Sequence, residues 1–363
     1  MSKSPKLIAI LCSRLDLPGG IERAITNLAN LLKEKGNSVT LIVLDETKES
    51  FFPIAPGVKL DQYYLIFGIT DQGNILTRKS ALIADTLKLK KILADINPDL
   101  VIATEYPFAI AAILSGSRKI SKVIAWEHHH FHELKRSFVW EKLFRLTYPR
   151  MDAVVCLNDD EKKIYTQLNP RSIVIPNFIR TGIHKAALVN KTILTIARLT
   201  HVKGIDLLLQ TAKLIFQKHI DWKWKIIGDG EMGKEVKDFI QKESLGNHLI
   251  IQKPVDHNIQ KEYLEASMYV MTSRNECFPM TLLEAMSNGV PCIAFDCETG
   301  PRHIIRQNED GIVVEKENPL KLAEAISSLI NDEERRKKMG EKAFGNILRF
   351  SPEKIYELWR GVF

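Results

Sequence analysis

Short β-rich apolar runs alternate with amphipathic helical stretches along almost the whole chain, and the cycle runs through twice. In the first half the runs are Leu7–Leu11, Val39–Leu44, Leu100–Ala103, Val123–Trp126, Ala153–Cys156 and Ser172–Ile175. The second half repeats them at Thr192–Ile196, Trp224–Ile227, Leu249–Ile251, Met268–Met271, Cys292–Phe295 and Gly311–Val314. Helical periodicity is clearest at Ile21–Lys35 and Arg78–Ile96. Strands apolar on both faces belong in parallel sheets covered on both sides by helices. Parallel neighbours require right-handed crossovers, so each half is expected to be a doubly wound, Rossmann-like α/β domain. The length of 363 residues suits two such domains. The boundary is expected after Pro176-Asn177-Phe178, because residues 179–191 carry no strong periodicity. That gives a first domain of residues 1–178 and a second of 179–349. Helices near Pro319–Ile330, Asp332–Ile347 and Pro352–Trp359 end the chain, the last opening with Pro352 after Ser351.

Composition narrows the partners. Apolar residues make up 45% and charged residues 26%, enough for two sizeable cores. The formal charge of +7 suits phosphate-bearing small molecules, an anionic membrane surface or nucleic acid. No Lys/Arg run is dense enough for a nucleic-acid arm, so no nucleic-acid partner is expected. The five cysteines are odd in number and form no C-x-x-C pair, which suits reduced thiols in a cytoplasmic protein. Leu7–Leu11 is too short for a signal peptide core, and no apolar stretch reaches about 18 residues.

Open α/β sheets bind ligands at the carboxyl ends of their strands. After Met268–Met271 comes Glu276-Cys-Phe-Pro-Met-Thr-Leu-Leu-Glu284, leading into a helix. Its two carboxylates can flank one ligand, with the N–H groups near Met280 and Thr281 at the helix start. After Thr192–Ile196 comes Arg198-Leu-Thr-His-Val-Lys203-Gly204, whose two cations can converge on a diphosphate. Each is worth about 4 kcal/mol at ~4 Å and an effective dielectric of 20, before desolvation. The two can do for a diphosphate what a divalent cation does. Gly19-Gly20 precedes the first helix and allows close backbone approach. Glu127-His128-His129-His130-Phe131-His132 follows the strand Val123–Trp126. Adjacent loop histidines rarely converge on one metal, so a single histidine pointing from the strand end is the favoured reading. Gly228-Asp-Gly-Glu-Met-Gly233 matches G-x-G-x-x-G but lacks the acidic residue that a dinucleotide site places ~20 residues on. It reads as a tight turn near the nucleotide. No Asp-x-Asp occurs, against a paired-carboxylate metal clamp.

Glu276-x7-Glu284, Arg198-x4-Lys203-Gly204, Gly19-Gly20, the strand-end His128 and the linker Pro176-Asn177 stand in one order. In that order the chain resembles glycosyltransferase family 4, retaining enzymes of the GT-B fold. The resemblance implies two Rossmann-like domains facing each other across a cleft, with the final helix, residues 350–363, crossing back to the first domain. It implies that Arg198 and Lys203 hold the donor diphosphate and that Glu284 holds the ribose. Glu276, with the backbone of Phe278, Pro279, Met280 and Thr281, would hold the donor sugar. His128 would bond the sugar and stabilise charge at the reacting carbon, with His129 as its alternative. Gly20, beside Gly19, would admit the donor phosphate, Gly228 would line the nucleotide pocket, and Lys253, Pro254 and Val255 would lie near the base. Glu22, His129 and Asn177 fall on the acceptor side. The expected reaction is metal-free, front-face hexosyl or N-acetylhexosaminyl transfer from a nucleotide sugar, a UDP-sugar by family expectation. The acceptor would be a saccharide or lipid-linked saccharide. The alternatives are a soluble metabolic transferase making a small glycoside or sugar phosphate, and a catalytically silent nucleotide-sugar-binding protein.

The stretch Glu133–Arg150 is basic and aromatic, with Lys135, Arg136, Lys142, Arg145 and Arg150 beside Phe138, Trp140 and Phe144. Two roles fit: a peripheral contact with the inner membrane leaflet, or a helix packing its apolar side on the first domain.

Overall fold

The structure, a computed structural model, describes residues 4–45, 49–67, 75–182, 184–254 and 259–363. The chain divides into two compact units, Met1–Asn177 with Pro352–Phe363, and Phe178–Ser351.

The first unit is built on a sheet of seven strands: β1 (Leu7–Cys12), β2 (Ser38–Val43), β3 (Lys59–Gln62), β4 (Leu100–Ala103), β5 (Lys122–Trp126), β6 (Ala153–Cys156) and β7 (Ser172–Val174). Their order is β3-β2-β1-β4-β5-β6-β7, and all pairs are parallel. The order reverses direction between β1 and β4, the place where such sheets open a ligand crevice. The core joins strand residues such as Leu11, Val101, Ala125 and Val154 to Leu89, Ile110, Phe144 and Tyr165 from the helices. The helix Gly20–Glu34 follows β1 and buries Ala24, Ile25, Leu28, Leu31 and Leu32 at helical spacing. The helix Pro352–Arg360 packs on it, with Ile355 and Trp359 buried and Lys35 lying over the Tyr356 ring.

The second unit repeats the plan with β8 (Thr192–Ile196), β9 (Lys223–Ile227), β10 (Leu249–Gln252), β11 (Met268–Met271), β12 (Asn275–Glu276), β13 (Cys292–Phe295), β14 (Glu298–Thr299) and β15 (Gly311–Val314). Six of them form a sheet in the order β10-β9-β8-β11-β13-β15, again all parallel, while β12 and β14 pair separately. The reversal falls between β8 and β11. The twelve apolar runs of the sequence are all strands, their ends shifted by at most one residue. The additions are β3, whose Lys-Leu-Asp-Gln is polar, and the two-residue β12 and β14.

One polar residue is built into the centre of the second sheet. Thr195 on β8 is buried; its hydroxyl donates to the Val270 carbonyl of β11 at 2.7 Å and accepts from the Trp224 indole N–H of β9 at 3.0 Å. It therefore ties three strands together at the reversal point. Replacing it with isosteric valine strands the Trp224 N–H in the core. Thr195→Val is expected to cost about 1–3 kcal/mol, read as a lower urea midpoint, while Thr195→Ser keeps the bond and loses less.

Candidate active site

The loops after β8 and β11 are locked together. Gly204 takes a left-handed conformation (φ 65°), and a Cβ there would lie 1.9 Å from the Thr272 carbonyl oxygen, so only glycine fits. Thr272 donates its hydroxyl to the Lys203 carbonyl at 2.9 Å. Arg274 grips Asp206 with two bonds of 2.7 Å, donates to the His201 carbonyl at 2.7 Å and pairs with Glu317 at 3.1 Å. This frame sets the ammonium of Lys203 2.6 Å from Glu276 Oε1, which also accepts from Ser273 at 2.7 Å. The sequence pattern points Lys203 at a phosphate; in the structure its partner is Glu276. An ammonium carries three donors, so the pair leaves Lys203 able to bind a phosphate oxygen as well. Arg198 is exposed just beyond β8, and among the described residues its guanidinium has no partner.

Glu276 lies on β12, and the Glu276 carbonyl accepts from Gly300 N–H at 2.8 Å. A Cβ on Gly300 would strike Pro279 and the Glu276 carbonyl, so this glycine lets β14 close on the segment. Phe278 is buried edge-on against Phe350. The helix Met280–Ser287 begins after Pro279 with no side-chain cap, which leaves its first N–H groups, Met280 and Thr281 among them, as an anion-attracting end. Glu284 sits one turn in, buried, and accepts from the Tyr263 hydroxyl at 2.8 Å.

The Gly228–Gly233 turn has a structural cause. A Cβ on Gly228 would lie 1.8 Å from the Ala197 carbonyl, and one on Gly230 would lie 2.6 Å from that of Leu199. The glycines admit the β8 loop, and Leu199 bonds to Asp229 and Met232 across the contact. Pro254 is exposed just beyond β10, two strands from β8, with Lys253 4.0 Å from Asp229; Val255 lies outside the described residues.

In the first unit, Gly19 is the N-cap of the first helix, and a Cβ there would meet Glu22 Oε2 at 2.0 Å. Sequence reading left this backbone open to a phosphate. The structure instead folds the Glu22 carboxylate back over it, as a Glu at the third helical position commonly does. Glu105, not foreseen, lies two residues beyond β4, at the N-cap of the helix Tyr106–Leu114, and accepts from Ser13 at 2.7 Å. Burial, and to a lesser extent Glu22, push the Glu105 carboxyl above its ordinary range.

The histidines after β5 separate. His128 is buried, its ring 4.2 Å from that of Trp126, and its Nε2 has no partner among the described residues. Burial, helped by His129, pulls its pKa down to about 3, so it is neutral at working pH. His129 is exposed. His130 is buried and bonds Glu161, which also accepts from Phe131 N–H at 3.1 Å. Among the described residues no three His, Cys, Asp or Glu side chains gather as metal ligands. Asn177 is buried at the end of the first unit's main segment, its Oδ1 without a partner.

The basic aromatic stretch has two sides. Trp140 and Phe144 are buried, and the Arg136 guanidinium lies over the rings of Phe131 and Phe144 while pairing with Glu141. Those three residues serve the core. Phe138 is 83% exposed, and Val139, Lys142, Arg145 and Leu146 also face outward. Among the described residues no helix is long and apolar enough to cross a membrane.

Two Rossmann-like units with these residues at their strand ends define a glycosyltransferase of the GT-B fold. Residues 18–182 match the model for Glycosyltransferase Family 4, and residues 182–345 match that for Glycosyl transferases group 1. The chain belongs to glycosyltransferase family 4. It is 27% identical to an uncharacterized glycosyltransferase of Haemophilus influenzae, covering 98% of this chain and 99% of the relative. It is 28% identical to a Campylobacter jejuni enzyme named as an undecaprenol-linked-glycan α-1,4-N-acetyl-D-galactosaminyltransferase, covering 99% and 97%. Staphylococcus aureus TarM superposes with a TM-score of 0.82 at 16% identity, over 99% of both chains.

One buried group makes stability depend on pH. Glu127, between Trp126 and His128, is buried and accepts from the Tyr148 hydroxyl. Burial raises its carboxyl from 4.5 to about 7, against the pull of that bond. The folded state thus keeps a proton that the unfolded chain releases. This contribution is full below about pH 4.5 and is lost as pH rises through about 7. The Tm of Glu127→Gln relative to wild type is therefore expected to climb from pH 5 to 8. A difference that stays constant across that range would contradict the assignment.

Proposed function

We propose that the enzyme transfers a hexose or N-acetylhexosamine from a UDP-sugar, with retention of configuration, to a saccharide or lipid-linked saccharide in cell-surface glycan synthesis. The observation that carries this is the grouping in the second unit. Arg198, Lys203, Glu276, Glu284 and the uncapped helix start all sit at the carboxyl ends of β8 and β11, the two strands at the reversal of order.

Arg198 and Lys203 hold the donor diphosphate and stabilise the charge that builds on it as the glycosidic bond breaks. They supply the positive charge, so no metal is required. Glu276, oriented by Ser273 and Lys203, takes sugar hydroxyls, and Glu284, oriented by Tyr263, takes the ribose. His128, neutral and buried, offers its ring nitrogen to the sugar as a hydrogen-bonding group rather than as a cation. The leaving phosphate accepts the acceptor's proton on the same face. Relatives support this setting: a Staphylococcus aureus poly(ribitol-phosphate) α-N-acetylglucosaminyltransferase is 27% identical over 76% of this chain, and an Anabaena protein of similar fold was solved with UDP-glucose.

A thermal-shift panel of UDP, GDP and ADP, each with Mg²⁺ or EDTA, tests the donor site. UDP at about 100 times its Kd is expected to add about 2.7 kcal/mol, with or without EDTA. Lys203→Ala is expected to lower sugar transfer on the order of 100-fold with the fold intact. Turnover equal to wild type would remove Lys203 from the mechanism.

The outward side of Phe138–Thr147 supports a peripheral membrane contact, since Phe138, Val139 and Leu146 can enter the headgroup region while Lys142 and Arg145 meet anionic lipid. Flotation with anionic vesicles at low salt is expected to carry the protein upward, and Phe138→Asp is expected to weaken this. A protein that stays at the bottom of the gradient sinks the idea.

A further inference from the structure

Two buried nitrogen atoms without a hydrogen-bond partner among the described residues belong to rings in contact: Trp126 Nε1 and His128 Nε2. Trp126 ends β5, and His128 lies two residues beyond. The ring centroids of the pair are 4.2 Å apart. Trp126 also meets Trp359 edge-on, with centroids 5.4 Å apart and planes at 85°. Trp359 is almost fully buried and comes from the helix Pro352–Arg360, which packs on the helix Gly20–Glu34. Three aromatic rings therefore stand in a row from that last helix to the histidine.

A ring tied by a hydrogen bond keeps its orientation when a neighbour is trimmed. The Trp126 indole N–H has no such tie, so its orientation rests on close packing alone. The same holds at Nε2 of His128. The Trp126 indole packs on the histidine ring, and Trp359 packs on that indole.

We propose that Trp359 is a positioning residue: through Trp126, the C-terminal helix fixes the ring of His128 and shields it from water. This rests on the reading of His128 as the group that meets the donor sugar. Shortening Trp359 gives the Trp126 indole room to turn, and the imidazole turns with it. The diphosphate and ribose are held by residues of the second unit, so donor affinity survives while the reacting step slows. The imidazole also gains water. Burial is the main cause of its low pKa, His129 lowers it further, and the two indoles carry no charge. A wetted His128 therefore titrates closer to its ordinary 6.5.

The test compares the full-length wild type with Trp359→Leu, Trp359→Phe, His128→Gln and, as a control on the same helix, the half-exposed Leu358→Ala. Two readouts are taken. One is UDP release from whichever of UDP-glucose, UDP-galactose, UDP-N-acetylglucosamine and UDP-N-acetylgalactosamine the wild type turns over fastest. The other is NMR titration of the His128 ring proton, assigned by its loss in His128→Gln. Trp359→Leu is expected to lower kcat tenfold or more, with the donor KM within threefold. Its His128 signal, flat from pH 8 to 5 in wild type, is expected to titrate with a midpoint above 5. Trp359→Phe falls between the two in both readouts, and Leu358→Ala matches wild type. A folded Trp359→Leu with wild-type kcat and a flat His128 signal overturns the proposal, as does a loss carried only by donor KM. If Trp359→Leu does not fold, the titration of Trp359→Phe decides: an upward midpoint supports the coupling and a flat signal rejects it. Wild-type turnover in His128→Gln removes the role of the histidine itself, and the titration still judges the packing chain.

Discussion

Arg274 reaches three parts of the second unit at once. Its guanidinium holds Asp206 at the start of one helix, the His201 carbonyl in the loop before it and Glu317 beyond β15, while its own N–H bonds the Val202 carbonyl. Thr272 and Gly204 close the same joint from the other side. Everything assigned to the donor depends on this joint. Lys203 and Glu276 lie 73 residues apart in sequence and meet at 2.6 Å because the two loops that carry them are one rigid piece. Two cations and two carboxylates on independently moving loops would lose much of their orientation to side-chain and backbone entropy.

The scaffold was legible because its signal is local. A parallel strand buried on both faces must be apolar throughout, and Val-Ile-Ala-Trp or Met-Tyr-Val-Met leaves little doubt about burial. Strand β3 escaped because it lies at the sheet edge, where one side has no neighbour and Lys-Leu-Asp-Gln suffices. Strands β12 and β14 escaped because two residues carry no period. The doubly wound order followed from handedness rules rather than from any one residue.

At the site, the residue types could be read and their partners could not. Glu276 and Glu284 were visible as a spacing, but Lys203 as the partner of Glu276, Tyr263 and Gly300 acquire meaning only when separate segments meet. Glycine reads as open backbone at Gly19-Gly20, yet at Gly19 the space is taken by the carboxylate of Glu22; at Gly228, which reads as a tight turn, and at Gly204 it is filled by another loop's carbonyl. A missing side chain announces close approach without saying what approaches. The aromatic residues of Glu133–Arg150 show the same limit. Helical spacing puts Trp140 and Phe144 on one face and Phe138 off it, yet only packing tells that Arg136 belongs with the buried pair.

The first unit is discontinuous: its sheet is complete by Val174, but the helix Pro352–Arg360 that covers Trp126 is separated from it by the whole of Phe178–Ser351. On a ribosome, those intervening residues take about 10 to 35 s to make at 5–20 residues per second. During that interval the first unit has its strands but not the indole that seals the histidine corner, while the second unit, being continuous, can finish its own core. The first unit therefore exposes an apolar seam until the helix Pro352–Arg360 emerges. That seam is where a chaperone would bind, and where a premature stop would leave a sticky, incomplete product.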